Sequence, residues 1–155
     1  MTLSGVPGKD KKFHLIARAV ILNGRSVLLV RQKGMSNTFL PGGHIEIGES
    51  AGAALQREIR EELGLRLEIE KFLGCVEAGW EECATCNYEI NLLFKAILPH
   101  PEIPPVSRED HLEFLWSSVD DLGKNNLLPQ PLQNLIPGYM AGDDAAWWGS
   151  TLHPA

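Results

Sequence analysis

Glu58, Glu61 and Glu62 stand at i, i+3 and i+4, a spacing that on a helix gathers three carboxylates on one side. Glu58 and Glu62 would then repel by a few tenths of a kcal/mol. Glu61 and Glu62 would also lie in the last turn, where the helix dipole disfavours anions by roughly 0.3–1 kcal/mol each at exposed sites. Stability gives no reason to concentrate negative charge there, so something cationic is expected between these side chains. Carboxylates joined by a backbone carbonyl are hard oxygen ligands of the kind Mg2+ or Mn2+ prefers. The carbonyl expected to complete the set is that of Gly43, in the turn Pro41-Gly42-Gly43, whose glycines let backbone approach a ligand closely. Arg57 is placed to pair with Glu61 at i+4 or to reach back to Glu49, holding carboxylates in set orientations. The competing reading is a solvated acidic face, which is the ordinary one for a lone Glu-Glu pair. The accompanying glycine turn, Glu49 and Arg57 weigh against it here.

These residues need a helix to carry them. Ser50 is a good N-cap and Gly64 a good left-handed C-terminal residue, with Ala51, Leu55, Ile59 and Leu63 as an apolar stripe between them. At 3.6 residues per turn the three glutamates spread over about 100° of arc beside that stripe, which puts them at the edge of the core and partly desolvated. Around the helix, Phe13 to Leu22 and Arg25 to Arg31 read as strands joined by an Asn23-Gly24 hairpin turn. Leu67 to Gly74 and Tyr88 to Leu98 read as further strands, with Trp80 to Asn87 as their loop. His100 to Ser107 is proline-rich and reads as an irregular connection. Leu112 to Trp116 is a short strand, Val119 to Leu122 one helical turn, and Leu132 to Met140 a weak helix interrupted by Pro137. Residues 1–11 and 142–155 are expected to be poorly ordered ends of a single domain spanning residues 1–155. Trp147 and Trp148 rarely stay exposed as a pair, so they are expected to pack on the domain or on a second subunit of a homodimer.

The 155-residue chain is long enough to bury one substantial core without covalent staples. Its three cysteines, Cys75, Cys83 and Cys86, are an odd number, and no apolar signal run opens the chain, so a reducing cytoplasm is the expected location. No stretch reads as a membrane span. Cys83 and Cys86 could mark half of a zinc site or a redox pair, but only Cys75 and the scattered His14, His44, His100 and His111 could complete a zinc site. Ordinary hairpin cysteines are the favoured reading. A net charge of −6, without a run of Lys and Arg, gives no extended surface for nucleic acid. A phosphate ester would therefore be bound by local cations: metal ions, or Arg31 and Lys33 after the Val27 to Val30 strand, whose bland alternative is solvated charge at a strand end.

The segment from Gly43 to Leu65 is similar to the Nudix box, Gly-x5-Glu-x7-Arg-Glu-(aliphatic)-x-Glu-Glu-x-Gly-(aliphatic). Gly43, Glu49, Arg57, Glu58, Ile59, Glu61, Glu62, Gly64 and Leu65 satisfy every specified position. The preceding Phe39 to Gly43 and the later Glu113-Phe114-Leu115-Trp116 also resemble that family. The resemblance implies an α/β/α sandwich with a mixed central sheet. It implies hydrolysis of a diphosphate linkage in a nucleoside diphosphate joined to a further group, such as a nucleoside triphosphate, nucleotide sugar or dinucleotide. The partner is then a small-molecule nucleotide, with Glu58 and Glu62 as principal metal ligands, Glu61 as a further ligand or base, and Arg57 as the orienting residue. An acidic residue from outside the box is implied as well, for which Glu89, Asp110 and Glu113 are the candidates. Trp80 is placed to stack a nucleobase, against the alternative of a tryptophan packed at the core edge. Extra motifs of the ADP-ribose, NADH and coenzyme A subgroups are missing. Two other classes stay in view. A nucleotide-sensing module without activity would have lost a box glutamate or gained a DNA-binding domain, and an isomerase on this scaffold would need a cysteine at the site.

Overall fold

A computed structural model gives the fold and describes residues 9–152. The chain runs β1 (Asp10–Asn23), β2 (Ser26–Gln32), β3 (Gly42–His44), α1 (Ala51–Leu63), β4 (Glu68–Glu82) and β5 (Thr85–Ile97). It continues through β6 (Leu112–Ser118), a single 3-10 turn (Val119–Asp121), α2 (Leu132–Met140) and β7 (Trp147–Ser150). The sheet order is β6-β2-β1-β5-β4-β7, with β3 paired to β1. β1 with β5 and β4 with β7 are parallel, and the remaining pairs are antiparallel. α1 packs Leu55, Ile59 and Leu63 against Ala17, Ala19, Ile21 and Ala96 on one face. α2 packs Leu132 and Ile136 against the cluster of Val20, Leu29, Val76 and Leu93 on the other. The architecture is the α/β/α sandwich with a mixed central sheet.

Covering both faces explains why β1 and β2 read as nearly continuous apolar runs. Arg18 interrupts that run in β1, and the reason appears at the site described below. The ends of α1 follow the capping signals: Ser50 Oγ accepts from the Ala53 N–H at 3.1 Å, and Gly64 is left-handed with φ 68°. Beyond the helix, the Gln56 side chain donates to the Leu67 carbonyl and accepts from the Leu67 N–H, pinning the chain as it turns into β4. The proline-rich connection docks on the same end of α1, where the Arg108 N–H donates to the Glu62 carbonyl at 2.7 Å.

Two expectations are corrected. Trp80 to Asn87 is not a loop: β4 and β5 continue to Glu82 and Thr85, leaving Cys83, with φ 56°, and Ala84 at the tip. Its polarity comes from strands that leave one side to solvent, a pattern that alternation alone could not separate from a loop. Trp147 to Ser150 does not belong to a poorly ordered tail, because β7 pairs with Gly74 to Glu77. Trp147 is 5 % exposed, its ring 6.0 Å from that of Tyr139, whereas Trp148 is 61 % exposed. Asp10 and Lys11 likewise belong to β1, while residues 1–8 and 153–155 of the expected ragged ends lie outside the described residues. Among the described residues no helix is long and apolar enough to cross a membrane.

A Cβ at Gly64 would overlap the Arg108 guanidinium as well as straining a positive φ. Gly64→Ala is expected to lower stability by about 1 kcal/mol or more, read as a lower urea midpoint at unchanged m-value.

Candidate active site

Arg57 is the node of the site. Its Nε and Nη2 each donate to a different oxygen of Glu49 at 2.9 Å, a bidentate pair joining α1 to the loop before it. Nη1 donates to Glu58 Oε1 at 3.0 Å and Nη2 to the His44 carbonyl at 3.0 Å, while Glu61 Oε2 lies 3.6 Å from Nη1. Both partners expected for Arg57, Glu49 and Glu61, are thus present. The hydrogen bonds and charge of Glu49, then of Glu58, raise the Arg57 pKa, and Arg57 holds the Glu49 carboxyl below its ordinary value.

Glu58 lies over Gly43, and a Cβ at Gly43 would overlap the Glu58 carboxyl. This contact places the turn before α1 against the acidic side of the helix and accounts for a glycine there. Glu62, one turn further on, has its Oε2 buried without a hydrogen-bond partner. Burial first, then repulsion by Glu58, pushes its carboxyl up to about 7, partly opposed by Arg18. Glu61 points to the rim, its side chain 54 % exposed. Among the described residues no three carboxylate, imidazole or thiolate groups already converge as a metal set. Arg57 draws Glu58 and Glu61 toward itself, which separates them from Glu62. An orphaned buried carboxylate oxygen beside a second carboxylate and a glycine turn nevertheless suits a hard divalent cation.

Sequence reading missed Arg18. From β1 its Nη1 donates to the Leu40 carbonyl at 3.0 Å and the Gly42 carbonyl at 3.2 Å, bracing the turn into Gly43. Burial lowers its pKa, against the opposing charges of Glu89, Glu62 and Glu58, so four ionisable groups face one another here. Glu89 is therefore the outside acid that folding brings in. It is 8 % exposed and accepts from Asn91 Nδ2 at 2.7 Å. Glu113 instead pairs with Arg31 at 3.3 Å, and Asp110 is exposed before β6. Glu109, on the connection that docks on α1, adds to the repulsion felt by Glu62. The legible signals were a lone arginine within an apolar strand and polar residues at alternate positions, Asn87, Glu89 and Asn91, in another.

Arg31 is engaged by Glu113, and Lys33 is exposed, its N–H donating to the His111 carbonyl at 2.8 Å. Trp80 is half-buried and stacked on His14, with ring centroids 5.6 Å apart and planes 19° apart. His14 in turn shares a hydrogen bond with His44 at 2.9 Å. Burial lowers the His44 pKa, with His14 and Arg18 adding to the effect. Cys75, Cys83 and Cys86 are free thiols, with Cys86 beside Glu81 at the hairpin tip.

The NUDIX domain model matches residues 12–139, and the chain belongs to the Nudix hydrolase family. The human 8-oxo-dGDP phosphatase NUDT18 is 37% identical over 73 residues, which cover 44% of this chain and 23% of that protein. The chain thus spans about a quarter of the length of that curated relative. The MutT protein of Methanosarcina mazei Go1 superposes with TM-score 0.67 at 22% identity, over 87% of this chain and 98% of that one. A MutT NUDIX hydrolase of Burkholderia pseudomallei gives TM-score 0.59 at 26% identity, over 77% and 89% of the two chains.

Raised above its unfolded value of 4.5, the Glu62 carboxyl contributes stability that is full below pH 4.5 and lost as pH rises through about 7. In metal-free buffer at pH 8, Glu62→Gln should therefore be about 1–3 kcal/mol more stable than the parent. The gain should vanish near pH 4, as measured by urea unfolding at both pH values.

Proposed function

We propose that the whole chain is one NUDIX unit that hydrolyses a diphosphate linkage in a nucleoside diphosphate joined to a further group. Mg2+ or Mn2+ would be held by Glu58, Glu62 and the Gly43 carbonyl, with Glu61 as a further ligand from the rim. The observation that carries this reading is the buried, unpartnered Glu62 carboxylate beside Glu58, over the glycine turn. When bound, the cation supplies charge neutralisation for the phosphate oxygens and acidifies a coordinated water.

The protein's own groups do the remaining work. Arg57 fixes Glu58 to Glu49 and to β3, so the carboxylate does not have to be oriented during the reaction. Glu61, free to turn at the rim, or Glu89, buried beside Arg18, takes the proton of the attacking water. Arg18 braces the turn that receives the diphosphate. Arg31 and Lys33 serve as cationic contacts at the strand end, and Trp80 offers the ring face not covered by His14 to a base. The name of the human relative brings nucleoside diphosphates, oxidised purine nucleotides among them, into the substrate range to be tested.

A panel of nucleoside di- and triphosphates, nucleotide sugars and dinucleotides, assayed with Mg2+ or Mn2+, should show release of phosphate or nucleoside monophosphate. No turnover of any member at several metal concentrations would sink the hydrolase reading and leave the sensing module. On the best substrate, Glu58→Gln and Glu62→Gln should each lower kcat by about 100-fold or more, while circular dichroism stays unchanged. Undiminished turnover in both variants would mean that the site is wrong.

A further inference from the structure

Beside the carboxylates, the same sheet face carries polar side chains that the metal chemistry does not use. Asn87 is 5 % exposed although it lies in a strand otherwise committed to the core. Its Nδ2 is directed to the Thr85 carbonyl at 3.5 Å, which leaves Oδ1 to accept from His14 Nε2 at 3.0 Å. His14 is held between Trp80, stacked at 5.6 Å, and His44, whose ring centroid is 5.1 Å away. Its Nδ1 lies 2.9 Å from His44 Nε2.

The proton positions follow from this chain of partners. Asn87 Oδ1 is an acceptor only, so His14 carries its proton on Nε2. In a neutral ring Nδ1 is then bare, and the short nitrogen-to-nitrogen contact needs one proton, which must come from His44 Nε2. That leaves His44 Nδ1 as a bare acceptor on an exposed side chain next to Gly43. Three residues from three strands fix the tautomer of the residue that directly follows the proposed metal-binding turn. An acceptor there cannot bond a phosphate oxygen, which is itself an acceptor. It requires a donor, and the donor covalently nearest to a diphosphate in a nucleotide is a sugar hydroxyl.

We propose that Asn87, His14 and His44 form a relay that presents His44 Nδ1 to a hydroxyl of the nucleoside sugar, so that the protein selects nucleotides carrying that hydroxyl. The inference rests on the nucleotide reading above. Asn87 and His14 act as positioning residues, and His44 makes the contact. Trp80 clamps His14 in the relay by its stacked face.

The first test is the tautomer itself. Long-range proton–nitrogen correlation spectra of the free protein at pH 8 should show His14 and His44 both protonated at Nε2 and bare at Nδ1. Asn87→Leu should release both rings into mixtures, and a proton on His44 Nδ1 in the parent would overturn the relay. The second test is calorimetric binding of a methylene-bridged nucleoside triphosphate with Mg2+, compared with its 2',3'-dideoxy counterpart. The parent should prefer the hydroxylated ligand by about tenfold, the worth of one net hydrogen bond. Asn87→Leu and His44→Phe should each bring that ratio toward one. His44 is exposed, so its variant keeps the test available if Asn87→Leu does not fold. Equal binding of the two ligands by the parent, or a preference that persists in the variants, would overturn the contact. Turnover measured in parallel separates the two readings: a hydroxyl preference without hydrolysis removes only the activity, and hydrolysis without the preference removes only the sugar contact.

Discussion

The site depends on one guanidinium. Arg57 reaches the loop through both oxygens of Glu49, β3 through the His44 carbonyl, and its own helix through Glu58. Three segments that share no backbone hydrogen-bond ladder with one another are thereby fixed in mutual position. An isolated exposed ion pair contributes little to stability, but a bidentate pair joined to further partners holds geometry. What it holds is a set of carboxylates that would otherwise move apart. With Glu58 oriented by Arg57 and Glu62 buried one turn away, the repulsion between them becomes a fixed property of the site.

The consequences extend into the sheet. Glu58 over Gly43 leaves no room for a side chain at that position, and Arg18 braces the same turn from below through the Leu40 and Gly42 carbonyls. The charge balance is also local. Arg18 sits among Glu58, Glu62 and Glu89, lowering the cost of bringing three carboxylates together without pairing fully with any of them. In a chain of net charge −6, such placement decides where an anionic ligand can approach.

Much of this was legible because local rules and function coincide in α1. Ser50, Gly64 and the apolar stripe bound the helix, and i to i+4 spacing then puts Glu58 beside Glu62 whatever the rest of the chain does. The hairpin at Gly24 and the helix at Leu132 to Met140 were legible for the same reason. The polar end of the β4–β5 hairpin was not, since a strand with one side in solvent has the composition of a loop. Nor was β7, whose four residues owe their pairing to Gly74 on β4, where Trp147 backbone would meet any Cβ.

The sequence by itself determined the acidic helix, its caps, the glycine turn before it and the arginine among its glutamates, because each is a matter of spacing along the chain. Only tertiary structure decided which distant residues join them. Glu89 rather than Glu113 or Asp110 reaches the site because β5 pairs with β1 in parallel, setting His14 opposite Glu89 and Arg18 opposite Leu93. Arg31 instead meets Glu113 because β2 and β6 place them in register. Strand register is set by burial over the whole sheet, and a shift of one residue would reverse which side chains face the cleft. No local pattern carries that information.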